Sequence, residues 1–534
     1  MFDCVHESCW MNSMAKGPVL QPVFKAYHQR QAMLLPPSLD ELIAANHPVR
    51  IVDEVLSRID IQPLVRQYKT GGSSSYHPGM LLKVLVYAYI NNIYSSRKIE
   101  EALGQNIHFM WLSGMSTPDH NTINRFRGER LKESLKKIFI QVVQLLAVEG
   151  LLSMKELYTD GTKIEANANR YTFVWGNAIK TNKEKMKVQL DELWKYAQGV
   201  AASELDDTDP GGFENIDKDK VAETIAKIDA ALKDKPVSKQ VKQKLNYAKK
   251  NWPAALDKYE QQEAVMGEHR KSFSKTDTDA TFMRMKEDHM KNGQLKPAYN
   301  LQVSSNNQYI THYSIHQATT DITTLKDHLA GFEQEHQAVP EIVTADAGYG
   351  SEENYQYLEQ SNITAYVKYS QFDREQNSTI KNKKPFAADK LHYNKEQDYY
   401  VCPMGQHMTN QGTSSKVTST GFVQQVTKYQ AKNCQACPLN GSCHKSKGER
   451  IIEINHRLNE LKHQANERLL SEEGIKKRKQ RCHDVEPVFA NIKHNHGFKR
   501  FMLRGTQKVS IETGLLALAH NLRKKATQNI KKAA

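Results

Sequence analysis

At 534 residues the chain is too long for a single hydrophobic core, and usual domain sizes lead to an expectation of roughly three or four folded units. Hydrophobic residues at 39% and charged residues at 25% exclude the disordered and collagenous classes. Lys and Arg outnumber Asp and Glu by 74 to 60, a formal charge of +14, which favours a polyanionic partner and nucleic acid first, although solvated basic helix faces give the same balance.

The excess is local: residues 451–534 hold eighteen Lys or Arg against eight Asp or Glu. Apolar runs fall short of the roughly 18 residues that a membrane helix needs, and the first residues lack a signal-peptide pattern. Seven cysteines, odd in number and unevenly spread, fit a reducing compartment better than a secreted disulfide framework. A cytoplasmic, nucleoid-associated protein with no membrane partner is expected.

In chain order, residues 1–38 form an N-terminal segment, of which 1–13 read as a mis-annotated start because Met14 opens more ordinary sequence. Residues 39–150 carry helical spacing throughout. One helix begins at His77-Pro78, where Pro suits a first turn; another spans 95–103. Asp119 is a candidate N-cap for a short helix over 121–127, and a long amphipathic helix then ends near Gly150. Beyond Gly150 the period changes to that of strands. The pattern predicts a strand over 157–164, a hairpin of 299–304 and 308–315 turning at Asn306-Asn307, a helix capped by Thr320 or Asp321, and a strand over 342–345. A helix from Ser351, a strand over 363–367 and a helix around 485–493 complete the order β, β, β, α, β, α, β, α.

Two insertions interrupt that order. Residues 180–270 are rich in Lys, Glu, Asp, Ala and Gln, which suits exposed, weakly packed helices, with 206–212 as a disordered loop. Residues 371–450 are polar with short alternating runs and four of the seven cysteines. The core is thus divided into 151–179, 271–370 and 451–510, and 511–534 form a basic C-terminal tail.

Asp160 follows Leu157 and Tyr158, and Asp346 follows the strand over 342–345, so both carboxylates fall at or near strand ends. Two acids in such places converge only if neighbouring strands bring them together, and like charges that close need cations between them. Glu486, on the later helix, supplies a third oxygen ligand. Three carboxylates suit magnesium (or manganese), a hard ion that keeps waters and leaves room for phosphate oxygens. Each acid also has an ordinary explanation: Asp160-Gly161 as a turn pair, Asp346 as a cap, Glu486 as a surface helix residue.

Cys434-x-x-Cys437, followed by Cys443 and preceded by Cys402, has the ligand types and knuckle spacing of structural zinc, with His407 and His444 as substitutes. A reduced, metal-free cluster is the alternative. In the helical region, Asn121, Thr122, Asn124, Arg125 and Arg127 could contact bases and phosphates if their helix enters the major groove; Asn and Arg on a solvated helix surface are the plain alternative.

Several stretches together resemble the IS1182-like DDE transposases, within the broader group that includes the IS4 family. They are Ser-Ser-Arg-Lys-Ile-Glu at 95–100, Phe-Met-Trp-Leu at 109–112, Pro-Asp-His-Asn-Thr-Ile-Asn-Arg-Phe-Arg at 118–127, Asp-Gly-Thr-Lys at 160–163 and Tyr-Asn-Leu-Gln at 299–302. They continue with Thr-Ala-Asp-Ala-Gly-Tyr at 344–349, Val-Glu-Pro-Val-Phe at 485–489 and Arg-Gly at 504–505. The resemblance implies an α/β RNase H-like catalytic core, with an all-helical N-terminal DNA-binding domain and two insertions, one helical and one small and cysteine-containing. It implies Asp160, Asp346 and Glu486 as the metal-binding acids of an enzyme that cleaves double-stranded DNA at a bacterial element's inverted repeats and joins it to target DNA, working as a homo-oligomer.

Glu486 and Lys493 match the Glu and Lys of the family's Tyr, Arg, Glu, Lys signature. Its first half departs: Cys482 stands at the Arg spacing, Arg481 beside it is the candidate substitute for contacting DNA, and no Tyr matches. Lys493, about two turns from Glu486, would face a phosphate near the reacting bond. Lys499, Arg500 and Arg504, with Phe498 and Phe501 between them, offer backbone contacts and base stacking, although such aromatics also serve as core.

Overall fold

The computed structural model describes residues 38–68, 75–201, 205, 216–285, 293–377 and 385–533; the suspect start at 1–13 and the loop at 206–212 lie outside them. The chain divides into residues 1–43, of which 38–43 are described as turns, and a unit of residues 44–534.

The second unit begins with helices α1 (Pro48–Ser57), α2 (Pro78–Ile90), α3 (Ser96–Gln105), α4 (Ile107–Ser113), α5 (His120–Arg125) and α6 (Leu135–Val148). Pro78 takes the first position of α2, where its missing N–H is no loss, and the His77 imidazole accepts from the Gly79 amide at 3.2 Å. Asp119 caps α5 by accepting from the Thr122 amide at 2.8 Å, as its place in the sequence suggests. Helix α2 is buried almost all round, so its continuous apolar run is that of an interior helix.

After Gly150, which adopts the positive φ of +72° that ends α6, the chain builds a sheet from β1 (Glu156–Glu165), β4 (Thr281–Arg284), β5 (Leu295–Asn306), β6 (Tyr309–His316), β7 (Ile342–Ala345) and β8 (Thr364–Val367), while β2 (Phe173–Trp175) and β3 (Ser272–Ser274) pair separately. The order is β4-β5-β1-β7-β8, with β6 also on β5. Strand β5 is antiparallel to β1, β4 and β6, whereas β7 and β8 run parallel with β1. The parallel strands need helical crossovers, and α10 (Leu325–His336) and α11 (Glu352–Gln360) supply them. Leu157, Val343 and Val367 pack with Leu329, Phe332 and Leu358 beneath this sheet. The hairpin turns at Asn307 and Gln308, φ +51° and +61°, one residue later than expected, because only that pair takes up the left-handed twist. The 3-10 turn Asp321–Thr323 precedes α10, so Thr324 and not Thr320 or Asp321 stands at its cap.

The insertion after β2 forms α7 (Gly176–Val200), α8 (Lys218–Ala231) and α9 (Lys239–Met266). Its packing is not weak: Leu193, Trp194, Ile225, Ile228, Trp252 and Leu256 bury a core of their own. Three long amphipathic helices hide two tryptophans despite a charged composition. The cysteine-bearing insertion is an antiparallel sheet, β9 (Tyr393–Asn394), β10 (Tyr399–Val401), β11 (His407–Val417), β12 (Val423–Gln430) and β13 (Ile451–Ile454). Because β13 pairs with β12, this layer extends past residue 450.

Three helices close the chain: α12 (His456–Leu470), α13 (Glu472–Ala490) and α14 (Thr506–Ala533). The segment expected as a basic tail is therefore largely a buried helix. Leu515, Leu518 and Leu522 of α14 are at most 1% exposed, each contributing about 1.5–3 kcal/mol through burial, and α14 packs on α1, α2, α6 and β6. Asn521 accepts from the Ile310 amide and donates to its carbonyl, both at 2.8 Å, satisfying the open edge of β6 as another strand would.

Candidate active site

Strands β1 and β7 are parallel neighbours in a register that pairs Thr159 with Ala345. Asp160 and Asp346 are each the next residue, so the two acids emerge side by side. Asp160 is not at a strand end: β1 runs on to Glu165, and Asp160 pairs with Val303 of β5. The Asp160-Gly161 turn is thereby overturned. Gly161 is needed for another reason: a Cβ there would lie 2.5 Å from the Gln302 side chain and 2.7 Å from Asp321 Oδ1.

Helix α13 lies across β1, β5, β7 and β8. It is pinned by Asp484, whose Oδ1 accepts from Ser305 Oγ at 2.6 Å and from the Gln308 amide at 3.0 Å, and by Lys477, 2.6 Å from Glu156. Pro487 removes the helical donor owed to the His483 carbonyl, and Gln308 Nε2 supplies one at 2.8 Å. So anchored, α13 turns Arg481 and Glu486 toward the two aspartates.

One guanidinium meets all three acids. Arg481 lies 3.2 Å from Asp160, 3.4 Å from Glu486 and 3.9 Å from Asp346. Burial disfavours its charge, but Asp160 and Asp346, with Cys482 and Glu486, hold its pKa above the ordinary value. Three carboxylates against one guanidinium leave two negative charges, which a divalent cation cancels. The acid side chains of Asp346 and Glu486 are 46% and 54% exposed, against 15% for Asp160, so the site opens to solvent on one side. Arg481 reaches all three acids, whereas Cys482 is exposed, meets Glu486 alone of the three and has Sγ 3.8 Å from the Arg478 carbonyl.

A fourth acid, which sequence reasoning sees only as a helix cap, belongs to this neighbourhood. Asp321 accepts from Asn300 Nδ2 at 2.8 Å and Gln302 Nε2 at 3.0 Å, and Tyr349 Oη donates to Gln302. Burial, then Asp160, Asp321 and Asp346, push the Tyr349 phenol well above its usual pKa, keeping it protonated as a donor. Two alternate buried amides on one strand face, Asn300 and Gln302, were the available signal, since buried amides need partners.

The expected nucleic-acid contacts are divided. Asn121, Asn124 and Arg125 are exposed on α5. Arg127 is not available: it is 3% exposed, donating to the Tyr94 carbonyl at 2.7 Å and to Tyr89 Oη at 3.4 Å. Lys499, Arg500 and Arg504 are exposed, and Arg500 and Arg504 bond the carbonyls of Ala166, Ala168 and Asn167 just past β1. Phe498 and Phe501 are 1% exposed and belong to the core, so base stacking on them is excluded by burial. Lys493 is 7% exposed within a π-helical turn, Asn491–Asn495, which interrupts the regular α geometry on which an i, i+7 spacing rests.

Cys402, Cys434, Cys437 and Cys443 line one cavity with His444. Backbone amides of Gln406 and Arg450 donate to Cys402 and Cys434 sulfurs at 3.3 and 3.4 Å, and Arg450 Nη1 to Cys443 at 2.8 Å, the donors that thiolates require. Among the described residues, neither the acids nor the thiols gather three ligand atoms within 4.8 Å; both sets stand around their sites at wider spacing.

Residues 401–526 match the family model described as a transposase DDE domain, and residues 37–129 match a transposase domain, DUF772. The matches support a DDE transposase family. The first spans Glu486, Arg481 and all four cavity cysteines, and the second spans Asn121, Asn124 and Arg125; neither covers half of the chain. A mixed α/β architecture with this domain is consistent with an RNase H-like core, and DDE transposase domains generally use a divalent metal. No curated protein and no solved structure matches the chain. Among the described residues no helix is long and apolar enough to cross a membrane.

Proposed function

We propose that this chain is the transposase of an IS1182-like bacterial insertion sequence, binding the element's terminal inverted repeats and catalysing metal-dependent cleavage and strand transfer. The observation that carries the reading is the meeting of Asp160, Asp346 and Glu486 around Arg481. Acids from two adjacent strands and one crossing helix have no packing reason to share one cation, whereas a site for hard ions and phosphate oxygens does.

Asp160, Asp346 and Glu486 would hold magnesium or manganese, which when bound activates the attacking water or 3′-hydroxyl and stabilises the leaving oxygen. Asp160, largely covered, fixes the inner position; Asp346 and Glu486 face the side from which a phosphodiester arrives. Arg481 offsets charge among the acids, and its guanidinium suits a phosphate oxygen once a cation takes over that task. Asn121, Asn124 and Arg125 on α5, with Lys499, Arg500 and Arg504 beyond β1, would contact the duplex. The four thiols would hold structural zinc. Two transposon ends must be handled together, so a homo-oligomer follows.

The test is a joining assay with pre-cut inverted-repeat ends from the DNA flanking the gene, a target plasmid and magnesium. Strand-transfer product that disappears with Asp346→Asn is expected. Hydrolysis with no joined product would make the chain a nuclease of related architecture, and unchanged product in Asp346→Asn would remove the catalytic assignment.

A further inference from the structure

A second cluster of ligand-type side chains lies away from the acids. His312 stands on β6, and Glu335 and His336 form the end of α10; one ligand atom from each lies within 4.8 Å of the others. His312 is 1% exposed and His336 7% exposed. His336 Nδ1 is buried without a hydrogen-bond partner, Glu335 Oε2 is approached by Lys136 and His312, and the His312 ring also faces the His328 backbone. A buried imidazole nitrogen with no partner is rare in a packed interior, and with a carboxylate and a second imidazole beside it calls for a common partner.

The tautomer of His336 points the same way. Its Nε2 bonds the Thr311 carbonyl at 3.1 Å, which requires that nitrogen to carry the proton and leaves Nδ1 as a lone pair aimed into the cluster. A backbone carbonyl fixing one nitrogen while the other ligates is the usual support of a metal-bound imidazole.

The other charged and titratable groups near the cluster are accounted for. His328 bonds Ser304 and Ser314, and His316 bonds Ser314. Lys136 of α6 reaches in from the helical layer, its Nζ 3.3 Å from Glu335 Oε2 while donating to the Tyr313 carbonyl at 2.6 Å. His312 Nδ1 lies 3.0 Å from the same Glu335 oxygen, so the ammonium and the imidazole both approach one carboxylate oxygen.

We propose that His312, Glu335 and His336 form a structural site for a divalent transition metal of the zinc class, clasping β6 to the end of α10, with the Lys136 ammonium as its competitor for Glu335. Two imidazoles and a carboxylate suit zinc, cobalt or iron and discriminate against magnesium. Burial argues for a structural ion. Lys136 is already held by the Tyr313 carbonyl at 2.6 Å and lies over the Tyr313 ring, 3.5 Å from its centroid, so it keeps partners when an ion takes Glu335.

The test is a cobalt(II) titration of the metal-stripped full chain in excess magnesium, which masks the carboxylate site. Thiolate coordination declares itself by a near-ultraviolet charge-transfer band; a site of two imidazoles and a carboxylate gives visible d–d bands only. One further equivalent of cobalt with d–d bands and no added thiolate band is expected. His336→Gln should lose that equivalent with the thiolate band intact, and Lys136→Met should keep it and bind at least tenfold more tightly, because a like charge beside the ion is gone. No uptake beyond the thiolate equivalent in the wild-type chain, or an affinity unmoved by Lys136→Met, overturns the proposal.

Discussion

Helices α13 and α14 belong to the same basic quarter of the chain, yet they place their acids in opposite ways. On α13, Arg481 and Glu486 project into a site that is open on one side. On α14, Glu512 is fully buried and accepts from the amides of Met502 and Leu503 at 2.9 and 3.0 Å and from Tyr89 Oη at 3.4 Å. The first helix devotes Asp484 and Lys477 to its own anchorage and leaves Arg481 and Glu486 facing the open side; the second uses Glu512 to tie α2, the loop after α13 and itself together. Net charge identifies a class of partner, but only burial and hydrogen bonding show which charges remain to meet it.

The comparison breaks most sharply at the acids. Asp346→Asn should abolish cleavage and joining by on the order of 10⁴-fold, ~5 kcal/mol in the barrier, while leaving the melting temperature nearly unchanged, since this side chain is half exposed. Joining kinetics beside a thermal melt check both halves. A variant that melts early and retains its rate would place Asp346 with α14's structural charges.

Glu512→Ala is the mirror image. Two amides and a phenol lose their buried acceptor, and the expected loss is about 4 kcal/mol of stability, read by denaturant unfolding, with joining per folded molecule preserved. A selective fall in joining rate with intact stability would contradict the division between the two helices.

Acid should act on the structural side first. Burial lowers the His520 pKa to about 4, and its Nε2 donates to the Gln308 carbonyl at 2.8 Å; burial and Arg523 lower His496 to about 4. A histidine depressed from its usual 6.5 or so is protonated more readily in the unfolded chain, so its contribution is complete above about pH 6.5 and drains away as pH falls toward about 4. His520 alone accounts for about 3 kcal/mol at most. Melting temperature across that window should fall steeply in the wild type and less steeply in His520→Gln.

What the sequence made legible follows from periodicity. Strand β7, the cap at Asp119 and the helix opening at Ser351 were readable because a short apolar run or a capping residue beside a polar break has few alternatives. The burial of α14 was not, because a count of lysines and arginines hides the way Leu515, Leu518 and Leu522 turn inward together with Glu512, among polar partners such as Tyr89 that lie hundreds of residues away. The same long-range cause hid the burial of Arg127, whose partners Tyr89 and Tyr94 sit on other elements. Lys493 escaped because a π turn after Pro487 cannot be read from side-chain spacing.

Arg481 gives the finest distinction between the two uses of charge. If it only neutralised the acids, as Lys525 of α14 neutralises Glu149, Arg481→Met would lower stability and leave metal binding alone. A guanidinium 3.2 to 3.9 Å from all three carboxylates instead competes with any cation they take up, so its removal should tighten manganese binding by about tenfold, ~1.4 kcal/mol, as followed by the manganese spin-resonance signal. DNA-end affinity should fall in the same variant, because the phosphate loses a bidentate donor. Arg481→Lys separates these effects: an ammonium restores the competing charge and returns manganese affinity toward wild type, but without the planar fork it does not return the DNA affinity. Unchanged manganese affinity in Arg481→Met would mean that the guanidinium and the metal never share the space between the acids.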